Sequence, residues 1–288
     1  MSKKVVLITG TNSGFGWLTA NSVAALGHKV YATMRDTQGK NADKANALSQ
    51  VANITVLDVT LTDETSVKEA FDTVIAKEGT IDVLVNNAGV ALFGVAESAT
   101  TADVQRVFDV NVIAPWRLMK LALPYMRKQS EGLIINVSSG WGRFSPPFSA
   151  VYGASKFALE GLSEGLHYEA RPLGVDVAII QPGAFPTEMS QKIQAGSDTS
   201  VVDDYKLIAE VPGKMFNALS QMFETIKPDP QNIADAVVKL INLPKGQRPL
   251  RTVVDPSTGE IVKTANEAVQ VEYDRVLTAF GMKDLLSL

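Results

Sequence analysis

The sequence of 288 residues contains no cysteine and only two histidines, His28 and His167. Disulfides, thiolate metal ligands and a thiol nucleophile are excluded, because each of them needs a cysteine sulfur atom. A metal centre built from several histidines is excluded for the same kind of reason, and we expect no metal. Any catalysis must therefore use side-chain oxygen and nitrogen atoms together with a cofactor.

Long apolar runs are also missing from the sequence. None approaches the roughly 18 residues that a helix needs to cross a bilayer, and the first apolar stretch, Val5 to Ile8, is too short for the core of a signal peptide. We expect a cytoplasmic protein without a membrane span. The formal net charge of −4 argues against a nucleic-acid partner, which a basic surface would bind. A small molecule is the expected substrate.

Short runs rich in β-branched residues alternate with longer helical stretches, a pattern typical of right-handed βαβ crossovers. Several runs are apolar almost throughout, as expected for strands covered on both faces. We predict one domain over residues 1–288, with an α/β fold: a doubly wound, mostly parallel, seven-stranded Rossmann-like sheet with helices on both faces. The predicted strands are Val5–Thr9, Lys29–Thr33, Ile54–Asp58, Val83–Asn86, Leu133–Ser138, Val175–Ile180 and Thr252–Val254; the clearest helices are Glu64–Lys77, Asp103–Arg127 and Val151–Arg171.

A glycine-rich turn follows the first predicted strand and opens a predicted helix. Glycines allow a tight turn and a close approach of the backbone to a pyrophosphate, whose charge then lies at the helix N-terminus. Strand, turn and helix in this order predict a dinucleotide-binding site. Its predicted residues are Gly10, Asn12, Ser13, Gly14, Phe15 and Gly16.

An insert at about 189–228 interrupts the alternation, and a helical extension is predicted at about 258–288. The insert begins with a polar stretch, Gln194–Ser200, and continues with an amphipathic run that includes Met215, Phe216 and Phe223. Such a run indicates either a helix packed on the core or a lid over an apolar substrate cleft. The sequence leaves both interpretations open.

Tyr152 and Lys156 lie four residues apart on the predicted helix Val151–Arg171, and so share one helix face. A free phenol, with a pKa of about 10, is a poor base at neutral pH. A nearby ammonium favours the phenolate and lowers that pKa. The pair therefore predicts a general acid/base at a reacting oxygen.

The residues around this pair, Val151–Leu162, together with the spacing of the glycines, resemble the short-chain dehydrogenase/reductase family in its standard-length form. The resemblance extends over Lys3–Pro244. Two segments, Tyr152–Gly165 and Arg248–Val254, most resemble its 17β-hydroxysteroid and retinol dehydrogenase-like branch. An oxidoreductase is the activity that this resemblance implies.

The resemblance also implies a catalytic tetrad, to which Tyr152 contributes the acid/base. Lys156 would lower the phenol pKa and bind the nicotinamide ribose. Ser139, 13 residues before the tyrosine, would orient the substrate carbonyl and stabilise charge on its oxygen; Ser138 is the alternative. The fourth member, Asn111, would hold a water that relays protons to the lysine, although it could equally brace the helix before Pro115.

Cofactor selection depends on the residues after the second strand. Met34 stands where NAD-specific members carry an aspartate, and Arg35 stands where NADP-specific members carry an arginine. An arginine can bind a 2′-phosphate through charge-assisted hydrogen bonds, and we expect NADP(H). Asp36 complicates this expectation because it could pair with Arg35.

Further cofactor contacts follow from the resemblance. The pair after the third strand would contact adenine, the motif after the fourth would lie along the cofactor, and the turn after the sixth would contact the nicotinamide carboxamide. These residues are Asp58 and Val59; Asn87, Ala88 and Gly89; and Pro182, Gly183 and Thr187.

We therefore expect an NADP-dependent enzyme acting on a bulky, apolar secondary alcohol or ketone. A 3-oxoacyl carrier-protein reductase is the alternative enzyme, against which the insert and the C-terminal extension argue. A non-catalytic NADP-sensing protein is the alternative of another class, against which the retained Tyr152 and Lys156 argue. A homodimer or homotetramer is expected through Asp103–Arg127 and Val151–Arg171, because apolar residues occupy several faces of these helices. Examples on the first helix are Leu118, Met119, Leu121 and Met126.

Overall fold

The strands form one parallel sheet in the order β3-β2-β1-β4-β5-β6-β7. The structure, a computed structural model, describes residues 3–287. β1 and β4 are neighbours in the sheet, and the chain adds strands on opposite sides of this pair: β2 and β3 beyond β1, and β5 to β7 beyond β4. Ligands of such sheets bind beyond the carboxyl ends of the strands at this point. The strands are β1 (Val5–Thr9), β2 (Lys29–Met34), β3 (Ile54–Asp58), β4 (Val83–Asn86), β5 (Gly132–Val137), β6 (Val175–Pro182) and β7 (Arg251–Val254).

Helices cover both faces of the sheet. The α-helices in residues 3–287 are α1 (Gly14–Ala25), α2 (Ala42–Ser49), α3 (Glu64–Glu78), α4 (Thr101–Phe108), α5 (Ala114–Lys128), α6 (Ala150–Ala170), α7 (Glu188–Gln191), α8 (Val211–Ile226), α9 (Gln231–Asn242) and α10 (Gly259–Ala279). In that part of the chain, none is long and apolar enough to cross a bilayer.

Alternate residues of β1 belong to two different apolar clusters. Val6 and Ile8 pack with residues of α1, α2 and α9, whereas Val5 and Leu7 pack with residues of α3, α5 and α6. Successive side chains of a strand point to opposite faces, so a sheet buried on both sides needs apolar residues at every position. This is why β1 is an unbroken apolar run, and the predicted doubly wound, single-domain fold is confirmed.

One predicted helix, Asp103–Arg127, is divided in the structure. Between α4 and α5 the backbone makes a π-helical turn, Asp109–Ile113. Pro115, the second residue of α5, follows this turn, and its missing N–H removes one hydrogen bond from the continuous helical backbone. A π turn within a helix is rare and occurs frequently at functional sites, and this one contains Asn111.

The polar part of the insert is held by a neighbouring loop. Gln194 N donates to Ala91 O, and Phe93 N donates to Gln194 O at 2.8 Å. The Asp103 carboxylate then accepts hydrogen bonds from the backbone N and the hydroxyl of Ser197, both at 2.9 Å. The segment thus takes its order from hydrogen bonds to residues outside it.

Candidate active site

The glycine-rich turn is packed too closely to allow side chains at two of its glycines. Gly10 has a φ of +69°, and a Cβ there would lie 2.8 Å from the Ala88 Cα. A Cβ at Gly16 would overlap the Gly10 carbonyl oxygen. Gly14, with a φ of +53°, faces the Thr187 side chain across the turn. The predicted residues that follow β1, β4 and β6 therefore meet at one point beyond the sheet.

Asn87 fixes the shape of this turn. Its Nδ2 donates to Thr9 O at 2.8 Å and to Gly10 O at 3.2 Å. The Thr9 hydroxyl in turn accepts from the backbone N–H groups of Asn87 and Ala88, both at 3.0 Å. The segment after β4 is thus bound to the end of β1 and to the glycine-rich turn through the side chains of Asn87 and Thr9.

The N-terminus of α1 is suited to an anion. Ser13 is its N-cap residue, makes no capping hydrogen bond through its side chain, and no acidic residue follows in the first turn. Helix N-termini attract negative charge through their unpaired N–H groups. Lys192 Nζ approaches Ser13 Oγ to 3.4 Å and adds positive charge. These residues therefore fit a pyrophosphate, whereas the ring of Phe15 packs against Phe185.

The loop after β2 leaves Arg35 exposed at the edge of the site. The Asp36 carboxylate accepts from Lys40 N at 2.8 Å within its own loop. Asp58 accepts hydrogen bonds from Asp36 N at 3.0 Å and from Thr37 N at 2.8 Å. These bonds lower the pKa of the Asp58 carboxyl, and those from Thr37 have the largest effect. Among the described residues, Asp36 forms no ion pair with Arg35. The observed role of Asp58 is to hold this loop.

Other predicted cofactor residues have clear structural roles. Val59 is buried in the core beneath β3. Asn12 Nδ2 donates to Asn41 Oδ1 at 3.2 Å. Pro182 ends β6, and Gly183 N donates to Val254 O at 3.0 Å. Contacts of these residues with a cofactor stay predictions.

Helix α6 and the end of β5 bring three of the four tetrad residues together. Lys156 Nζ donates to Val137 O at 3.0 Å and lies 5.7 Å from the centroid of the Tyr152 ring. The Ser139 side chain lies beside the Tyr152 phenol and lowers its pKa by a hydrogen-bond interaction. Ser138 is buried, and its Oγ has no hydrogen-bond partner among the described residues. The structure therefore brings Ser139, rather than Ser138, to the tyrosine.

Burial changes the acidity of both α6 groups. It raises the pKa of Tyr152 to about 12, against the opposing effect of the hydrogen bond with Ser139, so the lowering expected from Lys156 does not appear in the structure. It also lowers the pKa of Lys156 to about 8, against the attraction of Glu160. At neutral pH the phenol is protonated and the amine is mostly charged. The site thus presents a proton donor next to a cation.

Asn111 closes the far side of this cluster. Its Nδ2 donates to Val90 O at 2.9 Å and to Ser155 Oγ at 3.0 Å, and its Oδ1 accepts from Val90 N at 2.9 Å. A Cβ at Gly89 would lie 3.4 Å from Asn111 Oδ1 and 3.7 Å from Lys156 Nζ. The observed hydrogen bonds are those of a brace between α4–α5 and β4. The water relay stays a prediction.

Two residues at the site were not predicted from the sequence. Trp141 N donates to Ser139 Oγ at 3.1 Å, and its ring meets that of Tyr152 edge-on at 5.9 Å. Lys192 reaches the glycine-rich turn and also pairs with Glu188 at 2.8 Å. The usable signal for Trp141 was a bulky aromatic residue between two glycines, beside the candidate serine. Lys192 offered none, because a lysine in a polar loop is usually solvated.

A cavity of about 280 Å³ opens beside the glycine-rich turn. It is lined by Ser13, Gly14, Trp17, Leu18, Lys44, Pro186, Thr187, Glu188 and Pro230. Three of these residues were predicted to bind a cofactor. In residues 3–287, no cluster of histidine, aspartate and glutamate residues could hold a metal ion.

Comparison with known proteins gives consistent matches. The family model described as short chain dehydrogenase matches residues 4–198. A 3-ketodihydrosphingosine reductase of Bacteroides thetaiotaomicron is 37% identical over 205 residues, which are 71% of this chain and 72% of that protein. Human 17-beta-hydroxysteroid dehydrogenase type 1 is 36% identical over 252 residues, 85% of this chain and 76% of that protein. The crystal structure of a short-chain dehydrogenase from Streptomyces avermitilis is 30% identical, with a TM-score of 0.72 over 97% of this chain and 96% of that one.

Proposed function

Because this chain belongs to the short-chain dehydrogenase family and is an oxidoreductase of that family, we propose that it uses NADP(H) and interconverts a ketone and a secondary alcohol on a bulky, apolar substrate. The observation that carries this proposal is the cluster of Tyr152, Lys156 and Ser139 beside the glycine-rich turn. Similarity to a 17-beta-hydroxysteroid dehydrogenase agrees with the branch expected from the sequence.

The bound cofactor would supply or accept the hydride. Tyr152 donates the proton to the carbonyl oxygen in reduction, and Ser139 orients that oxygen and stabilises its developing charge. Lys156 holds a positive charge near the phenol and binds the nicotinamide ribose. Asn111 keeps the backbone after β4 in place beside the lysine, and we propose that it also holds the relay water.

At neutral pH the protonated tyrosine can act as the proton donor that reduction needs. A phenol whose pKa is raised to about 12 carries its proton at pH 7 and can donate it. Oxidation needs the phenolate as a base, so it gains from a higher pH. The charged Lys156 is required in both directions.

Exposed positive charge at the edge of the site supports NADP(H) over NAD(H). Arg35 lies at the end of β2, where the 2′-phosphate of the cofactor would be placed by the resemblance. The Asp36 carboxylate is engaged by Lys40 N in its own loop, which removes the competing pair considered from the sequence. We propose that Arg35 binds the 2′-phosphate and that Ser13 and Lys192 contact the pyrophosphate.

The substrate class is supported by the relatives and by the insert. The two relatives are named for a ketosphingoid base and a hydroxysteroid, and both compounds carry the reacting group on a largely apolar skeleton. On α8, Met215, Leu219 and Phe223 are half-buried, and Phe216 meets Phe93 edge-on at 5.2 Å. Such a lining suits an apolar molecule better than a sugar.

Turnover assays test the proposal directly. The purified protein is given NADPH or NADH with ketosteroids, retinals, 3-ketoacyl thioesters or small ketones. We expect NADPH-dependent reduction of the bulky apolar ketones. A preference for ketoacyl thioesters would support the carrier-protein reductase instead, and binding of NADPH without any turnover would support the sensor.

We further propose that residues 189–223 form a lid over the substrate cleft. No residue of α8 is buried, and segments with few buried contacts open at low free-energy cost. Closure over the substrate would exclude water and complete the pocket.

Hydrogen exchange tests this lid. We expect faster exchange in α8 than in α9 without ligand, and slower exchange in α8 once NADPH and a substrate analogue are bound. Protection of α8 equal to that of β5 without ligand, or unchanged by ligand, would show an ordinary core helix.

Self-association through α5 and α6 is also proposed, on different residues from those first considered. Leu118, Met119 and Met126 are buried in the core, and Leu121 packs against it. The outward apolar side chains are instead Ile113, Trp116 and Phe157, between 37% and 44% exposed. We expect a dimer or tetramer by light scattering at micromolar concentration, and Phe157→Glu should shift it towards monomer because it places charge in an apolar contact. A monomeric wild type would contradict this proposal.

The cytoplasmic location expected from the sequence stays a prediction.

A further inference from the structure

The segment Ser139–Arg143, called the serine loop below, is enclosed by two helices. On one side, a Cβ at Gly142 would lie 2.9 Å from Glu160 Cγ on α6. On the other side, a Cβ at Gly140 would lie 3.2 Å from Val262 Cγ2 on α10. Val262 is fully buried. Helix α10, in the C-terminal extension, therefore packs directly against the loop that carries the proposed substrate-orienting serine.

One side chain of α10 binds both the serine loop and the sheet. Asn266 Oδ1 accepts from Arg143 Nε at 2.7 Å, and Asn266 Nδ2 donates to Gln181 Oε1 at 2.7 Å. Gln181 is completely buried on β6, and its Nε2 donates to Glu160 Oε1 at 2.9 Å. Both ends of the Asn266 amide are thus used, and its hydrogen bonds lead to the serine loop, to β6 and to α6.

The network continues into buried charge on the helix that carries Tyr152 and Lys156. Arg251 Nε donates to Glu160 Oε2 at 2.9 Å, and Arg251 Nη1 donates to Glu164 Oε1 at 3.1 Å. Glu160 is one helical turn after Lys156, and its carboxylate raises the pKa of that amine against the effect of burial. A disturbance at Asn266 can therefore reach the serine through Arg143 and the lysine through Gln181 and Glu160.

We propose that Asn266 is a positioning residue for the site: through Arg143 it holds the serine loop, and through Gln181 it holds the buried charge cluster behind Lys156. This inference rests on the proposed function for its kinetic effect, but not for its structural effect. Catalytic groups must be held within about 0.5 Å of the productive geometry, and a misplacement of about 1 Å can lower the rate about 10²-fold. The C-terminal extension is then a component of the site, although it supplies no reacting atom.

Asn266→Leu removes both hydrogen bonds at similar volume and is the first variant to test. We expect kcat for ketone reduction to fall about 10- to 100-fold, with a smaller change in the Kd for NADPH by fluorescence titration. Gln270→Leu is the matched control, because Gln270 lies on the same helix and its amide bonds Tyr168 and Asp274 rather than the serine loop. We expect wild-type kinetics for this control. Asn266→Asp keeps an acceptor for Arg143 and should recover part of the loss.

Hydrogen exchange in peptides that cover 139–143 provides a readout that does not need turnover. Asn266→Leu should exchange faster there than wild type, while Gln270→Leu should not. If Asn266→Leu does not fold, Arg143→Met removes the serine-loop half of the network and takes its place. Wild-type exchange and kcat in Asn266→Leu, or equal losses in both leucine variants, would overturn the proposal. Faster exchange in Asn266→Leu with an inactive wild type would leave the positioning role standing and refute the proposed function.

Discussion

Tyr152→Phe should lower kcat for ketone reduction about 10²- to 10⁴-fold, the usual contribution of a positioned proton donor, and leave the Kd for NADPH nearly unchanged. The substitution removes only the hydroxyl that meets Ser139, while the ring can keep its contact with Trp141. Stopped-flow turnover and NADPH fluorescence titration measure the two quantities separately. Loss of cofactor binding in this variant would contradict the assigned role.

The matched control is Tyr168→Phe, a buried tyrosine on the same helix. Its hydroxyl accepts from Gln270 Nε2 at 3.1 Å, away from the site. We expect wild-type turnover from this control. Activity above a few per cent in Tyr152→Phe would require a different acid.

Lys156→Ala should reduce both turnover and NADPH affinity, because the same ammonium is assigned to the phenol and to the ribose.

Arg35→Ala should raise the KM for NADPH about 10- to 100-fold and change the KM for NADH little. A charge-assisted hydrogen bond to a phosphate contributes about 1.5–3 kcal/mol, and each 1.4 kcal/mol is a tenfold change in affinity. NADH lacks the 2′-phosphate, so it loses no such contact. Initial rates at varied cofactor concentration give both constants.

Lys40→Ala is the matched control for charge alone, since Lys40 lies in the same loop and its side chain is exposed. Its backbone N–H, which binds Asp36, is retained. We expect a small change in KM for both cofactors. Equal effects of Arg35→Ala on NADPH and NADH would refute the assignment of Arg35 to the 2′-phosphate.

The sheet could be predicted from the sequence because burial on both faces leaves a local signal. Strands such as β1 are apolar at every position, and all the predicted strands lie within two residues of the observed bounds. The spacing of Tyr152 and Lys156 is equally local, because it lies within one turn of one helix. The residues that a single helix or turn places together were therefore accessible without coordinates.

Contacts between distant parts of the chain could not be predicted in the same way. Arg143 and Asn266 are 123 residues apart, and no pattern near either residue indicates its partner. The π-helical turn at Asp109–Ile113 was not predicted for a different reason: it shifts the apolar register by about one residue within a single turn, too short a stretch to be recognised in the periodicity. The outward residues Trp116 and Phe157 were missed because amphipathic spacing does not show which of two apolar faces meets the core.

The way in which the insert is attached has a consequence for how such an enzyme could change its substrate. Several of the bonds that hold the segment are between main-chain atoms: Gln194 with Ala91 and Phe93, and Asp198 N with Ser98 O at 2.9 Å. Main-chain bonds of this kind do not depend on side-chain identity, so these positions tolerate substitution, apart from those such as Ser197 whose side chain is itself bonded. Mutations in α8 can then alter the wall of the proposed pocket while the proton donor and the cofactor turn stay fixed. In this proposed arrangement, selectivity and chemistry lie in separable parts of one chain, and substrate range can diverge without a new active site.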